Sequence, residues 1–329
     1  MQFNLDKISV SASWKILLRL IGPLLLVLIL GSMDRQKLLD TLIGVRWQYI
    51  FFGLFISIFI PALRAFRWFL INHSLSIHIS FYKCLYLVFT SLPFGLLTPG
   101  RVGMEFYRFM ILRSTNYPSV SIATGIVLDR LSDLFAIGIV FVAGIGYLNL
   151  PEQSSYIFIA RLFLLSISAL MILYLLKKRF IDKIRNYITL KYLQRVTSHS
   201  RDNLNNNSQI HFSTSLILII ITVSFLINIV CALQVYSFSL SLGTKVSFGF
   251  LNWCVSAMII SNLFPIAFLG IGTRDVTLIY FLSLVDVIPQ TSVSISSFVL
   301  AALIFHSIIG SIFLLFPIAK RDFNTKMNE

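Results

Sequence analysis

Charge is scarce in these 329 residues: only 12% are charged, and only 13 are Asp or Glu. Cysteine is scarcer, with Cys84, Cys231 and Cys254 all inside apolar runs and none at paired spacing. That excludes a disulfide framework and a cysteine-based metal site, and leaves three small buried hydrophobes. The chain also lacks the G-x-x-x-x-G-K nucleotide loop, H-E-x-x-H, C-x-x-C and the G-x-S-x-G elbow. No cofactor and no metal is therefore expected, and nothing here would hydrolyse ATP. Histidine is sparse too: of His73, His78, His199, His211 and His306, only His306 falls within an apolar span. A lone histidine there reads as hydrogen-bonded packing.

What is abundant is apolar surface, 57% of residues, in runs that approach or exceed the ~20 residues a membrane crossing needs. The pattern predicts an all-α polytopic membrane protein, residues 1–329 forming one integral membrane domain. Full spans are expected near 16–32, 47–70, 120–147, 156–176, 213–240 and 292–318, with two broken segments at 81–112 and 250–288. The first run follows Lys7, Lys15 and Arg19 without a small-x-small cleavage site, so it is expected to stay as an anchor. The 30 phenylalanines suit lipid-facing and packed helices.

The formal net charge is +14. In a soluble protein that would point to nucleic acid. Here eight Lys and Arg residues fall between Lys177 and Arg201, and loop topology with anionic headgroups accounts for them more simply. The loop 177–211 is expected to be cytoplasmic, as is the tail with Lys320, Arg321 and Lys326. The 149–155 turn, with Glu152 and no basic residue, is expected outside. On those assignments the two broken segments are hairpins entering from opposite faces, the geometry of an inverted repeat. Arg35, Lys37 and Arg46 would then lie outside, against the positive-inside trend. Arms such as 250–269 are long enough to cross fully, which would raise the count to eight or more.

Both broken segments have the same grammar. Leu92 to Glu105 passes Pro93, Gly95, Pro99, Gly100 and Gly103 to reach Arg101 and Glu105. Leu263 to Asp275 passes Pro265, Gly270 and Gly272 to reach Arg274 and Asp275. Glycine and proline interrupt a helix, and matched interruptions in two halves are the best sequence pointer to a transporter's binding site. A helix starting near Val102 would present its positive end at the tip, beside the forked cation of Arg101. The bland alternative is a tight turn with Arg101 paired to Glu105.

Between the hairpins lies Asp129-Arg130-Leu131-Ser132-Asp133. Asp129 and Asp133 share a helix face and repel unless a cation lies between them; Arg101 and Arg108 are candidates, and a shared proton is another solution. A polar cavity wall, a proton-coupling site and a structural ion pair all fit. Arg64 and Arg67 share a face of span 47–70, and snorkelling to the headgroups is the preferred reading. Asn228 and Gln234 are expected to serve as interhelical hydrogen-bond glue.

These residues resemble the lysylphosphatidylglycerol synthase transmembrane family, also called flippase-like or UPF0104 membrane proteins. The resemblance rests on Thr98-Pro99-Gly100-Arg101-Val102-Gly103 followed by an acid, on Asp129-Arg130 with Asp133, and on Pro265 leading to Gly270-Ile271-Gly272-Thr273-Arg274-Asp275. It extends from about residue 15 to 318. Two departures stand out: Met104 intervenes before Glu105, and Asp129 and Asp275 occupy positions where the family usually has Glu. Larger members carry a soluble aminoacyl-transferase domain; these residues contain none, so the resemblance implies the lipid-translocating half alone.

The expectation is thus a flippase-like translocator of a lipid or lipid-linked sugar headgroup across the cytoplasmic membrane, not an enzyme. Arg101, Arg130 and Arg274, with Gly100, Gly103, Gly270 and Gly272, would contact the headgroup. Glu105, Asp129, Asp133 and Asp275 would pair with the arginines or carry protons. Two alternatives stay open: a membrane-embedded enzyme on a lipid phosphate or glycolipid, with Asp129, Asp133 and Glu105 as acid and base, and a non-catalytic partner of a separate cell-envelope enzyme. Membrane lipids, anionic or sugar-linked, are the expected partners, nucleic acid is not, and self-association is left open.

Overall fold

A computed structural model describes residues 44–147 apart from 97 and 116, then 213–262 and 272–316. The expected spans 16–32 and 156–176, the loop 177–211, the C-terminal tail and Gly270 lie outside those residues. All regular structure among the described residues is helical: α1 Trp47–Ser57, α2 Phe59–Ser74, α3 Phe81–Leu96, α4 Val102–Arg113, α5 Ser119–Gly144, α6 Thr214–Ser241, α7 Phe248–Ser261, α8 Thr273–Ser283 and α9 Pro289–Leu315.

Three stretches are long and apolar enough to cross a bilayer: Trp47–Ser74, Ser215–Ser241 and Pro289–Leu315. The first is one rod with a slight break, since Ile58 keeps right-handed helical angles (φ −63°, ψ −27°) between α1 and α2. In the most apolar window of each stretch only 33%, 33% and 28% of residues are buried inside the protein. Exposed apolar side chains include Phe51, Phe52, Phe55 and Phe59. Such faces are stable against lipid and costly against water. The 26 residues of α5 rise roughly 39 Å, also enough to span, although Asp129, Arg130 and Asp133 sit at its middle.

The packing is reciprocal. Each broken segment is a helix pair, α3–α4 and α7–α8, preceded by a long helix (α2, α6) and followed by another (α5, α9), each packed on its neighbour. The first arm of each pair also packs on the helix that follows the other pair: α3 on α9, and α7 on α5. Both crossings are made close by a glycine. A methyl group on Gly310 of α9 would stand 2.3 Å from the Phe89 carbonyl oxygen of α3, and one on Gly144 of α5 would stand 2.2 Å from the Trp253 ring of α7. The Phe89 carbonyl is the one that Pro93, lacking an N–H, leaves without its helical partner; the bare Cα of Gly310 takes that space and can offer a weak C–H···O contact.

Candidate functional site

The first hairpin breaks where proline and glycine require it. α3 ends at Leu96, three residues after Pro93. Thr98 bridges the gap: its hydroxyl donates to the Phe94 carbonyl (2.9 Å) and accepts from the Gly103 N–H (2.7 Å). Gly103 has no room for a side chain, since a methyl group would lie 2.3 Å from Phe94 O. Gly100 and Arg101 are both left-handed (φ +63° and +59°). For glycine that costs nothing; for arginine it is a strained conformation worth about 1 kcal/mol or more. α4 then begins at Val102 as the sequence predicts, with Arg101 as the residue before its first turn.

The second hairpin repeats the plan with different wiring. Gly272 has φ +89° and precedes α8. Asp275 accepts from the Gly272 N–H (2.8 Å), so the acid caps its own helix. Arg274 is buried and donates to Asp275 (3.1 Å) and to Ser296 Oγ on α9 (2.8 Å).

Between the hairpins lies a cavity of ≈ 200 Å³. Its wall contains Gly100, Arg101, Glu105, Asp129, Arg130, Asp133 and Arg274 from the expected site. Gly103 and Gly272 shape the hairpin turns instead, and Asp275 reaches the site through Arg274. The wall also contains Arg64, Arg67 and Arg108, with Ser224, Asn228, Gln234 and His306. No group of three His, Cys, Asp or Glu suited to a metal occurs among the described residues.

The ion pairs correct three readings. Arg67 does not snorkel to headgroups: its side chain is 1% exposed and clamps both carboxylates of α5, Asp129 at 2.8 Å and Asp133. It also donates to Ser224 Oγ (2.8 Å). The cation between Asp129 and Asp133 is therefore Arg67, not Arg101. Arg108 assists at Asp129 (3.4 Å), with its guanidinium 4.8 Å from the Trp68 ring centroid. Third, Glu105 pairs with Arg130 and not with Arg101. Arg130 also donates to the Gly100 carbonyl (3.1 Å), locking α5 to the hairpin tip.

Arg64 and Arg101 are left over. Among the described residues neither has a carboxylate within 4 Å, and Arg101 instead feels the like charges of Arg64, Arg130 and Arg274. Several buried polar atoms also lack partners: Arg64 Nε, Arg108 Nε, Arg274 Nη1 and Asn228 Oδ1. Asn228 does give the interhelical bond expected of it, to Ser256 (3.2 Å), and His306 is hydrogen-bonded to Ser57 (2.8 Å). The missed lining residues carried one usable signal: an arginine inside a span is functional by default, and that applied to Arg64 and Arg67 as much as to Arg101.

A bundle of apolar-faced helices around an arginine-rich cavity defines a multi-pass membrane protein with an internal polar site. Comparison with known proteins gives the family. Residues 15–315 match the lysylphosphatidylglycerol synthase TM region, and the chain belongs to that family. The UPF0104 membrane protein MJ1595 of Methanocaldococcus jannaschii is 25% identical, over 95% of this chain and 97% of the relative.

Proposed function

We propose that this protein moves the headgroup of an anionic lipid or lipid-linked sugar across the cytoplasmic membrane, through the cavity between its two hairpins. The observation that carries the reading is the pair of guanidiniums, Arg64 and Arg101, that line the cavity with no carboxylate within 4 Å among the described residues. An uncompensated charge at membrane depth is expensive. An anionic headgroup supplies the missing counter-charge, while its acyl or prenyl chain stays in lipid.

Alternating access needs hairpins that open to opposite faces, and the reciprocal packing supports that arrangement. α5 runs from the open end of the first hairpin, past its tip at Arg130, to Gly144 beside Trp253 near the start of α7. α9 runs from the end of α8, past Arg274 at Ser296, to Gly310 beside Phe89 in α3. Each long helix thus travels from the mouth of one hairpin towards the mouth of the other. The C-terminus then falls on the cytoplasmic side with the 177–211 loop, by the positive-inside rule. Arg101 and Arg274 at the hairpin tips bind the phosphate, Arg130 positions the first tip through Gly100, and the carboxylates hold the arginines in place.

Native mass spectrometry of gently purified protein tests the site. One lipid class enriched in wild type and lost in both Arg101→Ala and Arg274→Ala is the expected result. Equal, bulk-like lipid in all three proteins would make the arginines structural and refute the headgroup site.

A further inference from the structure

The balance of charge around the cavity goes beyond the general preference for an anion. The wall holds six arginines, Arg64, Arg67, Arg101, Arg108, Arg130 and Arg274, and three carboxylates, Glu105, Asp129 and Asp133. Asp275, bonded to Arg274, adds a fourth. Four of the arginines share these four carboxylates: Arg67 with Asp129 and Asp133, Arg108 with Asp129, Arg130 with Glu105, and Arg274 with Asp275. That set is neutral. The remainder is Arg64 and Arg101, a local excess of two positive charges among the described residues.

We infer that the cavity selects a terminal phosphate carrying two negative charges, a phosphate monoester or pyrophosphate headgroup, over a singly charged phosphodiester or a cationic headgroup. The inference rests on the reading of this cavity as a headgroup site. A second observation points at the same ligand. Arg274 is 2% exposed, lines the cavity, and keeps Nη1 without a partner while its Nε and Nη2 are bonded to Ser296 and Asp275. A guanidinium N–H left over beside the cavity would be a charge-assisted donor to a phosphate oxygen that reached it. The size agrees as well. A cavity of ≈ 200 Å³ has ample room for a phosphate group. A monoester gains its second charge near pH 6; a diester has no second charge to gain. A lysylated headgroup would bring net positive charge into a site already in excess of it.

The test is binding to the full chain in nanodiscs of phosphatidylcholine, with three probes: dioctanoyl phosphatidic acid, dioctanoyl phosphatidylglycerol and inorganic phosphate. At pH 8 the monoester lipid should bind at least tenfold tighter than the diester lipid. At pH 5 the ratio should shrink to about threefold or less, on the charge argument above. Glu105, Asp129, Asp133, Cys231 and His306 also line the cavity; they face both lipids alike, so the ratio reads the charge of the ligand. Inorganic phosphate matching the monoester lipid would support the dianion site and assign it to the free ion; weaker phosphate supports a lipid. Arg64→Lys and Arg101→Lys should keep the selectivity, and Arg64→Gln and Arg101→Gln should each remove most of it. Equal affinity for both lipids at pH 8, lost together in the Gln variants, would overturn the dianion inference and leave the headgroup site standing. Binding of neither lipid, or binding indifferent to both Gln variants, would overturn both. The pH dependence is read on wild type, so it stands even where a variant fails to fold.

Discussion

Replacing Arg67 by methionine separates two accounts of that residue. A snorkelling arginine at the headgroups would leave stability almost unchanged. The structure instead buries Arg67 between Asp129 and Asp133, with side-chain exposures of 1% for the arginine and 9% for Asp129. Removing one partner of a buried ion pair costs about 3–5 kcal/mol, because the remaining charge is left uncompensated. Here two carboxylates four residues apart on α5 would lose their shared cation, and Arg108, at 3.4 Å from Asp129 alone, cannot replace it for Asp133. At about 2–4 °C per kcal/mol for a domain of a few hundred residues, the melting temperature in detergent should fall by roughly 6–20 °C. The double variant Arg67→Met with Asp133→Asn removes one orphaned charge and should recover part of the loss, since directly interacting residues couple by about 0.5–3 kcal/mol. An Arg67→Met protein melting within ~2 °C of wild type would refute the reasoning.

Further outcomes follow from the hairpins. Arg101→Gly relieves a left-handed non-glycine residue (φ +59°), so it should melt no lower than wild type, within about 1 kcal/mol, while losing headgroup binding; a thermal melt beside a lipid-binding assay reads both. Gly103→Ala places a methyl 2.3 Å from the Phe94 carbonyl and 2.6 Å from Thr98 Oγ1, and should cost about 1–3 kcal/mol, measured as a lowered melting temperature. Gly310→Ala should push α9 off α3 at Phe89 O, with a similar loss on melting and increased cysteine-crosslinking distance between the two helices. Thr98→Val removes the hydroxyl joining Phe94 O to the Gly103 N–H and should cost about 1–3 kcal/mol, because two polar groups lose their partner.

Much of the fold was legible because proline, glycine and hydropathy act locally. The expected spans 120–147, 213–240 and 292–318 fall within a few residues of α5, α6 and α9, and the two interruptions lie where Pro99, Gly100 and Gly272 force them, while α3 runs on through Pro93. Helix α4 starts at Val102 for the same local reason. The pairing of charges was not legible. Which cation sits between Asp129 and Asp133 depends on α2 packing against α5, and nothing in the local sequence of Arg67 distinguishes a buried clamp from a snorkelling side chain. Likewise, Arg101 precedes Glu105 by one turn, the spacing that suggests a pair, but the left-handed backbone at Arg101 turns it into the cavity and Arg130 takes the acid. Part of the cavity lining was therefore readable as a set of residues, while Arg64 and Arg67, and the wiring of all the charges, required the tertiary arrangement.

On the proposed function, the cavity between the hairpins carries a lipid headgroup from one leaflet to the other. The most direct measurement is leaflet exchange in proteoliposomes, following an acyl-labelled fluorescent phosphatidic acid by quenching from outside. Exchange by wild type is expected well above that of protein-free vesicles, and at least tenfold lower in Arg64→Gln and in Arg101→Gly, with both variants folded by thermal melt. Exchange by either variant at the wild-type rate would contradict the proposal, and would leave the arginine excess without a transport role.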